Sequence, residues 1–334
     1  MILSSLTIKH FKKLEEISIP LSPINILVGG NNSGKTCVLQ AAHFGISVLQ
    51  SGRFVKERYG LTPKTLSSEQ LRYIPTDDLM RLSHKRPISQ NHGIEISYVG
   101  KKHAEDETEE GFQIRIRRGK NANLSITFPD NHKFYHPLSN NQNPFSIYVP
   151  GLAGIPLREE FRADSVITSG ISRGDANLFL RNVLLRLQRN PERFKLFHEI
   201  FQSIFPNVRI KLEFLEQQDM YINCHAEVDS YQISLDMLGT GVLQVVQLVA
   251  YVVNYNPSIL LLDKPDSHLH PDNQRKLAET LVKVAENTDT KIILATHSRH
   301  LLDSFQDSEH ANTIWLKDGK IQSNEVSSDI NMAL

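Results

Sequence analysis

A glycine-rich segment near the start of the chain carries the residue types best suited to chemistry. Residues 29–36 read GGNNSGKT and match the phosphate-binding pattern G-x-x-x-x-G-K-[ST] at every fixed position. Glycines let backbone N–H groups turn towards an anion, and the N-terminus of a following helix adds partial positive charge. In this pattern the lysine, Lys35, reaches the β- and γ-phosphates, and the hydroxyl of Thr36 binds Mg²⁺. The segment therefore predicts a site for a nucleoside triphosphate with Mg²⁺.

The residues on either side of this loop have the patterns that a phosphate site requires. Residues 24–28 (INILV) are apolar and β-branched, which is typical of a short buried strand. From Thr36 to about Gln50 the chain is almost free of charge and rich in Val, Leu and Ala, as expected of a buried helix. The plain alternative is a glycine turn without a ligand, and the strand–loop–helix order favours the phosphate site over it.

A second set of candidate residues lies in the last third of the chain. Residues 238–241 (LGTG) precede a Val-rich helical pattern, and a helix that starts on glycines is a position for an anion. Residues 258–263 (SILLLD) run from apolar residues into an acidic one, which predicts a buried parallel strand that delivers Asp263 to Mg²⁺. A later apolar strand, 291–295, ends in THS, where we expect His297 to point at the γ-phosphate.

Length and composition describe an ordinary globular chain. Its 334 residues leave room for two domains or one domain with a large insertion, and 40% are hydrophobic and 22% charged. No apolar run approaches a membrane span, the N-terminus has no signal-peptide layout, and two cysteines are too few for a disulfide framework. We therefore expect a cytoplasmic protein without a membrane partner. Lys+Arg and Asp+Glu both total 37, so no net positive field indicates nucleic acid, although a local basic groove stays open.

Patterns in the rest of the chain predict the elements around the site. Alternating apolar residues indicate two strands before the loop and a β-rich region from 93 to 128. Apolar stripes indicate a helical region from about 156 to 205, and short strands follow, one of them at 220–222. The predicted divisions are an N-terminal lobe with the phosphate loop (1–50), a mixed and antiparallel β insertion (51–155), a helical subdomain (156–206), a C-terminal lobe (207–325) and a loose tail (326–334).

With these segments in order, the chain resembles the ABC-class ATPases. The phosphate loop, the LGTG-led helix, ILLLDKPD followed by HLHP, and ATHS occur in the order of that class. Within the class the chain resembles the branch of chromosome-maintenance, DNA-repair and OLD (overcoming-lysogenization-defect) proteins. The opening LTIKHFKKLEEISIPL…INILVGGNNSGKT and the HLHP are most similar to OLD-type ATPases, a group that includes ATPase subunits of two-gene phage-defence systems. The resemblance covers residues 1–50 and 230–320, and the middle matches in layout alone.

The resemblance implies a fold and an assembly. The fold is an α/β P-loop NTPase head of the ABC type, with a mixed sheet, an antiparallel β subdomain and an inserted helical subdomain. Such heads form a homodimer, or a higher homo-oligomer, around ATP and Mg²⁺. The phosphate loop of one protomer then faces the 238–241 helix start of the other, with two nucleotides in the interface. The glutamine of the family's Q-loop has no clear counterpart, and Gln70 and Gln90 are the candidates.

One departure from the family pattern concerns the residue after Asp263. The family normally has glutamate there, which orients the attacking water, and this chain has Lys264. An ammonium has no acceptor and cannot act as a general base while it is charged. We therefore predict tight ATP-dependent dimerisation with slow or absent hydrolysis, in which Lys264 pairs with the γ-phosphate. The alternative is normal turnover, with Asp266 or His268 as a substitute for the glutamate.

Three functions are compared. The favoured one is an OLD-like regulatory ATPase in phage defence with a separate effector, a nuclease or toxin, because the chain after His297 is too short for the nuclease domain of OLD nucleases. The alternative is a DNA-repair ATPase that grips DNA across its dimer and turns over ATP normally. A transporter subunit is least favoured because the signature departs from LSGGQ. The lack of long heptad segments excludes the coiled-coil arms of chromosome-maintenance proteins.

These patterns and the resemblance assign roles at the site to individual residues. Lys12 is included because the Lys12-Lys13 pair, at the turn between the first two strands, either flanks the nucleotide or is a solvated turn. Magnesium is assigned to Thr36 and Asp263, and catalysis to Asp263, Asp266 and His297. The predicted nucleotide contacts are Lys12, Gly29, Asn31, Asn32, Ser33, Gly34, Lys35, Thr36, Gly239, Thr240, Gly241 and Lys264.

Overall fold

The computed structural model describes most of the chain as sheets with helices packed on them. The described residues are 2–51, 64–101, 105–128, 144–151, 154–229, 231–267, 269–306 and 308–322. The strands are β1 Ile2–Phe11, β2 Leu14–Pro20, β3 Ile24–Val28, β4 Lys64–Leu66, β5 Ile94–Lys101, β6 Glu110–Arg118, β7 Leu124–Thr127, β8 Ser146–Val149, β9 Val208–Glu213, β10 Asn223–Val228, β11 Tyr231–Ser234, β12 Ile259–Asp263, β13 Lys291–Ala295, β14 Ala311–Lys317 and β15 Lys320–Ile321. The α-helices are α1 Lys35–Ser51, α2 Asp164–Arg173, α3 Leu180–Gln188, α4 Pro191–Gln202, α5 Thr240–Tyr255, α6 Pro271–Asn287 and α7 Arg299–Asp303.

A mostly parallel sheet carries the candidate site. Its strand order is β15-β14-β3-β13-β12-β8, so the strand before the phosphate loop lies in the middle. The strands β14, β3, β13, β12 and β8 run parallel, and only the short β15 is antiparallel. In register, Leu27 pairs with Ala295, which pairs with Asp263. The carboxyl ends of β3, β13 and β12 are therefore level, and the residues that follow them meet at one edge of the sheet.

The two faces of this sheet contribute to different hydrophobic cores. Side chains alternate between the faces of a strand, and a parallel sheet covered on both sides is apolar throughout. Leu260 and Leu262 of β12 therefore pack with the helices α3 to α6. Ile259 and Leu261 of the same strand pack with α1 and the antiparallel sheet. All four are buried, which explains the uninterrupted apolar run before Asp263.

The antiparallel sheet joins the beginning of the chain to its middle. Its order is β2-β1-β5-β6-β7-β4, and β1 pairs along its length with both β2 and β5. Helix α1 packs between this sheet and the parallel one, and its side chains are buried from Val38 to Gln50, with the exception of the half-buried Gln40. The strands of the predicted N-terminal lobe and of the predicted β insertion thus share one sheet. The predicted domain boundaries stay a prediction.

The helical region starts later than the sequence pattern indicated. The first helix is α2, which begins at residue 164, and residues 156–163 are not helical. These residues are held by side chains of α3, since Arg181 Nη1 donates to Pro156 O at 2.6 Å and Asn182 Nδ2 donates to Glu160 O at 2.9 Å. These side chains satisfy backbone carbonyl groups of the segment, so those groups do not need the hydrogen bonds of a helix.

Two further details differ from expectation or lie outside the described residues. The strand expected at 220–222 is displaced to β10, and Tyr221 makes only an isolated bridge with Glu160. The predicted tail, 326–334, is outside the described part of the chain. Among the described residues, no helix is both long enough and apolar enough to cross a bilayer.

Candidate nucleotide-binding site

Packing from two other elements determines the shape of the phosphate loop. Gly29 has φ +143°, and a Cβ there would lie 2.1 Å from the carbonyl oxygen of Leu316 on β14. Gly34 has φ +112°, and its Cβ would lie 3.0 Å from Leu14 on β2. Both positions need glycine, because an L side chain is strained at these angles and has no space. The glycines of the pattern thus serve packing as well as anion binding.

Backbone hydrogen bonds and a lysine also fasten the loop from outside. The N–H of Gly319, in the turn between β14 and β15, donates to Ser33 O at 2.8 Å. Lys13 Nζ donates to Asn32 O at 2.6 Å and pairs with Asp318 at 3.1 Å. Lys13 was not assigned to the site from sequence, and its contact depends on where the C-terminal hairpin lies, which no local pattern shows.

Lys35 lies inside the loop at the first position of α1. It is 5% exposed, and its Nζ donates to Gly29 O at 2.7 Å and to Gly30 O at 3.0 Å. Burial, and after it the charge of Lys264, together lower the pKa of Lys35 to about 8, while Asp263 acts in the opposite direction. The side chain is therefore largely charged at neutral pH and lies where a phosphate would sit above the loop.

The predicted metal ligands come together at the edge of the sheet. Thr36 Oγ1 donates to Asp263 Oδ1 at 3.2 Å, and Tyr148 on β8 donates its hydroxyl to Asp263 Oδ2 at 3.3 Å. A hydroxyl and a carboxylate are hard oxygen donors of the kind that Mg²⁺ prefers, and Mg²⁺ is usually held by one or two such groups plus phosphate oxygens. The donor set therefore fits a nucleotide-bound Mg²⁺.

Three further predicted residues interact electrostatically at this edge. Lys264 is exposed, has φ +51°, and is fastened to the end of β13 by its N–H, which donates to Ala295 O at 2.8 Å. Burial lowers the pKa of His297, Lys35 and Lys264 lower it further, and Asp266 and Asp263 act in the opposite direction. The Asp266 Oδ1 atom is buried and has no hydrogen-bond partner among the described residues. His268 lies outside the described residues.

Lys12 points away from the loop that it was predicted to assist. Its Nζ donates to Gln40 Oε1 at 2.6 Å and to Pro75 O at 3.1 Å. Burial lowers the pKa of Lys12. In this structure Lys12 contacts α1 and the segment after β4, and its neighbour Lys13 contacts the loop. The assignment of Lys12 to the nucleotide stays a prediction.

Neither candidate Q-loop glutamine forms a hydrogen bond with this edge in the described part of the chain. Gln70 ends a short 3₁₀ helix, Ser68–Gln70, and its Oε1 accepts from the N–H of Ser67 at 3.0 Å. Gln90 is exposed in a bend. Sequence reasoning overlooked Tyr148, which donates to Asp263, and Tyr73, whose pKa is raised by burial and then by the charge of Asp263. Neither tyrosine belongs to a recognisable motif, so only the tertiary structure reveals them.

The predicted signature forms an open helix start. Helix α5 begins at Thr240 with Gly239 as its N-cap residue, and no side chain caps it. Gly239 and Thr240 are exposed, and Gly241 is buried against Asn273 of α6. In the described part of the chain, no hydrogen bond joins these glycines to the phosphate loop of the same molecule. The helix start therefore presents free N–H groups outwards.

Comparison with known families covers both halves of this site. A family model described as "AAA domain, putative AbiEii toxin, Type IV TA system" matches residues 24–303. That range is more than half of the chain and contains the phosphate loop, the Gly239–Gly241 helix start, Asp263 and His297. The chain belongs to this family. With the relatives below, membership makes it a P-loop ATPase of the ABC type, as predicted.

Curated relatives match parts of the chain. The cell division ATP-binding protein FtsE of Bacillus subtilis is 27% identical over 140 residues, which are 40% of this chain and 58% of that protein. The DNA replication and repair protein RecF of Proteus mirabilis is 50% identical over 44 residues, which are 13% of this chain and 12% of that protein. The chain thus spans less than two thirds of the length of either relative.

Solved structures with the same fold include heads of SMC proteins. An SMC head bound to the C-winged helix domain of ScpA has a TM-score of 0.61 at 17% identity, covering 99% of this chain and 100% of that one. The SMC head domain of Thermotoga maritima has a TM-score of 0.51 at 15% identity, covering 96% and 97%. The predicted fold class, an α/β ABC-type head, is confirmed. The predicted cofactors, ATP and Mg²⁺, are those of ABC and SMC ATPases and agree with the donor set described above.

Proposed function

We propose that this chain is an ABC-type head that binds ATP with Mg²⁺, dimerises around it and regulates a separate effector while hydrolysing ATP slowly. The observation that carries the slow hydrolysis is the identity and position of Lys264. It follows Asp263 directly, and its charge lowers the pKa of both Lys35 and His297, so it acts within the site. Where related ATPases have a carboxylate, this chain places a cation.

The side chains at the site have different roles. Lys35 would neutralise phosphate charge from inside the loop, and Thr36 and Asp263 would hold Mg²⁺, which would supply further positive charge to the phosphates. Lys264 adds a second positive charge that favours a bound polyanion. An ammonium has no lone pair to accept a proton from water, so it cannot orient or activate the nucleophile. This combination favours retention of ATP over its hydrolysis.

The open helix start supports the dimer. The uncapped N-terminus of α5 provides exposed N–H groups and partial positive charge, which stabilise an anion. Its own phosphate loop does not use it, so the phosphates of a second protomer are the matching ligand. Gly239–Gly241 of each protomer then completes the site that Gly29–Thr36 of the other begins.

The family description supports an effector and a role in defence. It names the AbiEii toxin of a type IV toxin–antitoxin system, and a solved SMC head of the same fold carries a ScpA domain. We infer that this head belongs to the OLD-like branch and acts in phage defence through a nuclease or toxin partner. Capture of the native complex from its own cells identifies that partner. Recovery of the head alone, at native expression and with ATP present, contradicts this part of the proposal.

Phosphate release by three purified proteins tests the slow hydrolysis. We expect slow release by the wild type, a rise of about a hundredfold in Lys264→Glu, and no rise in Lys264→Met, because only glutamate restores a base. The backbone at this position has φ +51° whichever of these side chains is present, so the variants are matched in backbone strain. Brisk release by the wild type contradicts the proposal.

A second candidate, normal turnover, has one observation in its favour. Asp266 Oδ1 is buried without a partner among the described residues, and the Asp266 charge reaches His297. A carboxylate in that position is able to orient water if it faces the bound nucleotide. Under this alternative the wild type releases phosphate briskly, and Asp266→Asn abolishes that release. The wild-type rate and the effect of Asp266→Asn therefore distinguish the two functions.

Direct DNA binding, the other alternative, has less support in the described surface. Arg115, one of the arginines on β6, pairs with Glu95 of β5 at 3.1 Å, so part of its charge is neutralised. Arg117 and Arg118 are exposed. A DNA mobility shift that weakens steeply with salt favours the DNA-binding ATPase.

A further inference from the structure

Two hydroxyl groups hold the two oxygens of Asp263 from opposite sides. Thr36 donates to Oδ1, and Tyr148 donates to Oδ2. Strand β8 pairs with β12 so that Tyr148 is level with Leu261, two residues before Asp263. Side chains two residues apart lie on the same face of a strand, so this register places the tyrosine on the same side of the sheet as the carboxylate. The contact is thus a consequence of sheet pairing.

The Tyr148 ring is fixed by two other rings. It lies 5.7 Å from Tyr73 at an interplanar angle of 69°, and 5.8 Å from His43. His43 and Tyr73 are 4.8 Å apart at 68°. Tyr148 and Tyr73 are only 4% and 6% exposed, and His43 is 2% exposed. Edge-on ring contacts of this kind leave little freedom of orientation.

Hydrogen bonds fix His43 in one tautomer. Its Nε2 is 2.9 Å from the carbonyl oxygen of Ser172 on α2, which only accepts, so Nε2 carries the proton. Its Nδ1 then accepts from the hydroxyl of Ser146 on β8 at 2.8 Å. Burial lowers the pKa of His43 to about 4, so the ring is neutral at ordinary pH. His43 therefore links α1, β8 and α2 and gives Tyr148 a rigid support.

The direction of the hydrogen bond at Tyr148 follows from its partner. A carboxylate oxygen accepts, so the Tyr148 hydroxyl is the donor to Asp263 Oδ2 at 3.3 Å. Burial raises the pKa of Tyr148, so the hydroxyl keeps its proton at ordinary pH. Gln40 of α1 accepts from Lys12 Nζ through its Oε1 at 2.6 Å.

We propose that Tyr148 is a positioning residue for the magnesium ligand Asp263. The hydroxyl restrains Oδ2 and leaves Oδ1, beside Thr36, for the metal. The inference rests on the proposed function in that Thr36 and Asp263 hold Mg²⁺. Groups that orient metal ligands change metal affinity by about 10- to 100-fold when they are removed.

The test is the Mg²⁺ requirement for ATP binding in Tyr148→Phe, measured with a fluorescent ATP analogue. We expect the half-saturating Mg²⁺ concentration to rise about tenfold. Affinity for the analogue in EDTA and the thermal unfolding of the ligand-free protein stay close to wild type, because the ring and its contacts are retained.

Tyr98→Phe is the matched control. It removes an equally buried hydroxyl, which donates to Ala42 O on the same helix α1 but does not contact Asp263. Its Mg²⁺ requirement equals that of wild type. The inference is overturned if Tyr148→Phe needs the same Mg²⁺ concentration as the wild type. It is also overturned if Tyr98→Phe raises that concentration as much as Tyr148→Phe does. A wild type whose ATP binding does not depend on Mg²⁺ instead overturns the proposed function.

Discussion

Two lysines at the site act on one another through their charges. Lys35 is buried within the phosphate loop, and Lys264 is exposed at the sheet edge. The charge of Lys264 makes protonation of Lys35 less favourable while no nucleotide is bound, which is part of the reason that the pKa of Lys35 is about 8. A bound polyanion removes this conflict, since both cations then face negative charge. The unliganded site is thus less stable electrostatically than the liganded one.

This coupling predicts a pH dependence of ATP binding. The phosphates bind the ammonium form of Lys35, so affinity is constant below about pH 8 and falls above it, by at most about tenfold per pH unit. Lys264→Met removes the neighbouring charge and raises the pKa of Lys35, so the decline moves to higher pH. Dissociation constants of a fluorescent ATP analogue between about pH 7 and pH 9.5 check both statements. A flat profile in the wild type contradicts them.

At the scale of elements, the phosphate loop depends on the hairpin β14–β15. Gly319 in the hairpin turn has φ +75°, and its N–H donates to Ser33 O. It also packs against Lys13, which lies in the turn between β1 and β2. Asp318 before it has φ +49°, so the turn requires two left-handed residues, as Asp-Gly turns provide. The hairpin β14–β15 and the turn between β1 and β2 therefore both contact the loop.

Gly319→Ala tests this support. A Cβ at Gly319 would lie 2.3 Å from Lys13 O, and φ +75° is unfavourable for alanine. We expect a loss of about 1–3 kcal/mol in the free energy of unfolding and, because the hairpin must shift, ATP affinity lowered by about tenfold. Calorimetric unfolding and ATP titration well below the melting temperature measure the two effects.

Gly154→Ala is the control for that substitution. A Cβ at Gly154 meets no atom within 4 Å among the residues that the structure describes, so we expect both measurements to stay at wild-type values. If Gly319→Ala lowers stability and leaves ATP affinity unchanged, the hairpin supports the fold and not the loop.

At the scale of the whole molecule, the proposed assembly divides each site between two protomers. The parallel sheet brings Lys35 and Asp263 together in one chain, at the edge where we expect the γ-phosphate. The α5 helix start, with its free N–H groups, lies in another part of the same chain. Nucleotide binding and dimerisation are then linked, since only a pair of molecules surrounds the phosphates completely.

Gly239→Asp separates binding from dimerisation. Gly239 has φ −57°, and a Cβ there meets no atom of the described residues within 4 Å, so we expect the fold to accept a side chain. Aspartate at an N-cap position stabilises the helix, so the monomer keeps its stability and its ATP affinity. The same negative charge faces the partner's phosphates in the dimer, and we expect ATP-driven dimerisation to be lost. Sedimentation with and without ATP–Mg²⁺ measures this, and Gly239→Ala, which adds no charge, continues to dimerise.

Local patterns in the sequence were sufficient to predict the phosphate loop and the candidate residues at the sheet edge. The loop Gly29–Thr36 was predictable because its residues are contiguous and each has a local physical role. Asp263 and His297 were predictable because parallel strands bring their carboxyl ends to one edge. The predictions that were wrong concern short segments without a sustained period, such as the helix start at 156 and the strand at 220–222. There, side-chain hydrogen bonds from distant residues decide the backbone.

The sequence by itself predicted the fold class, which is confirmed, and it contains the phosphate-loop motif, the candidate metal ligand Asp263 and a lysine where the family that it resembles has glutamate. Only the tertiary structure decided that Tyr148 contacts Asp263, that Lys13 contacts the loop and that Lys12 bonds to Gln40 and Pro75. The physical reason is separation along the chain. Tyr148 and Asp263 are far apart in sequence and meet because β8 pairs with β12, and pairing between distant strands is a property of the whole core.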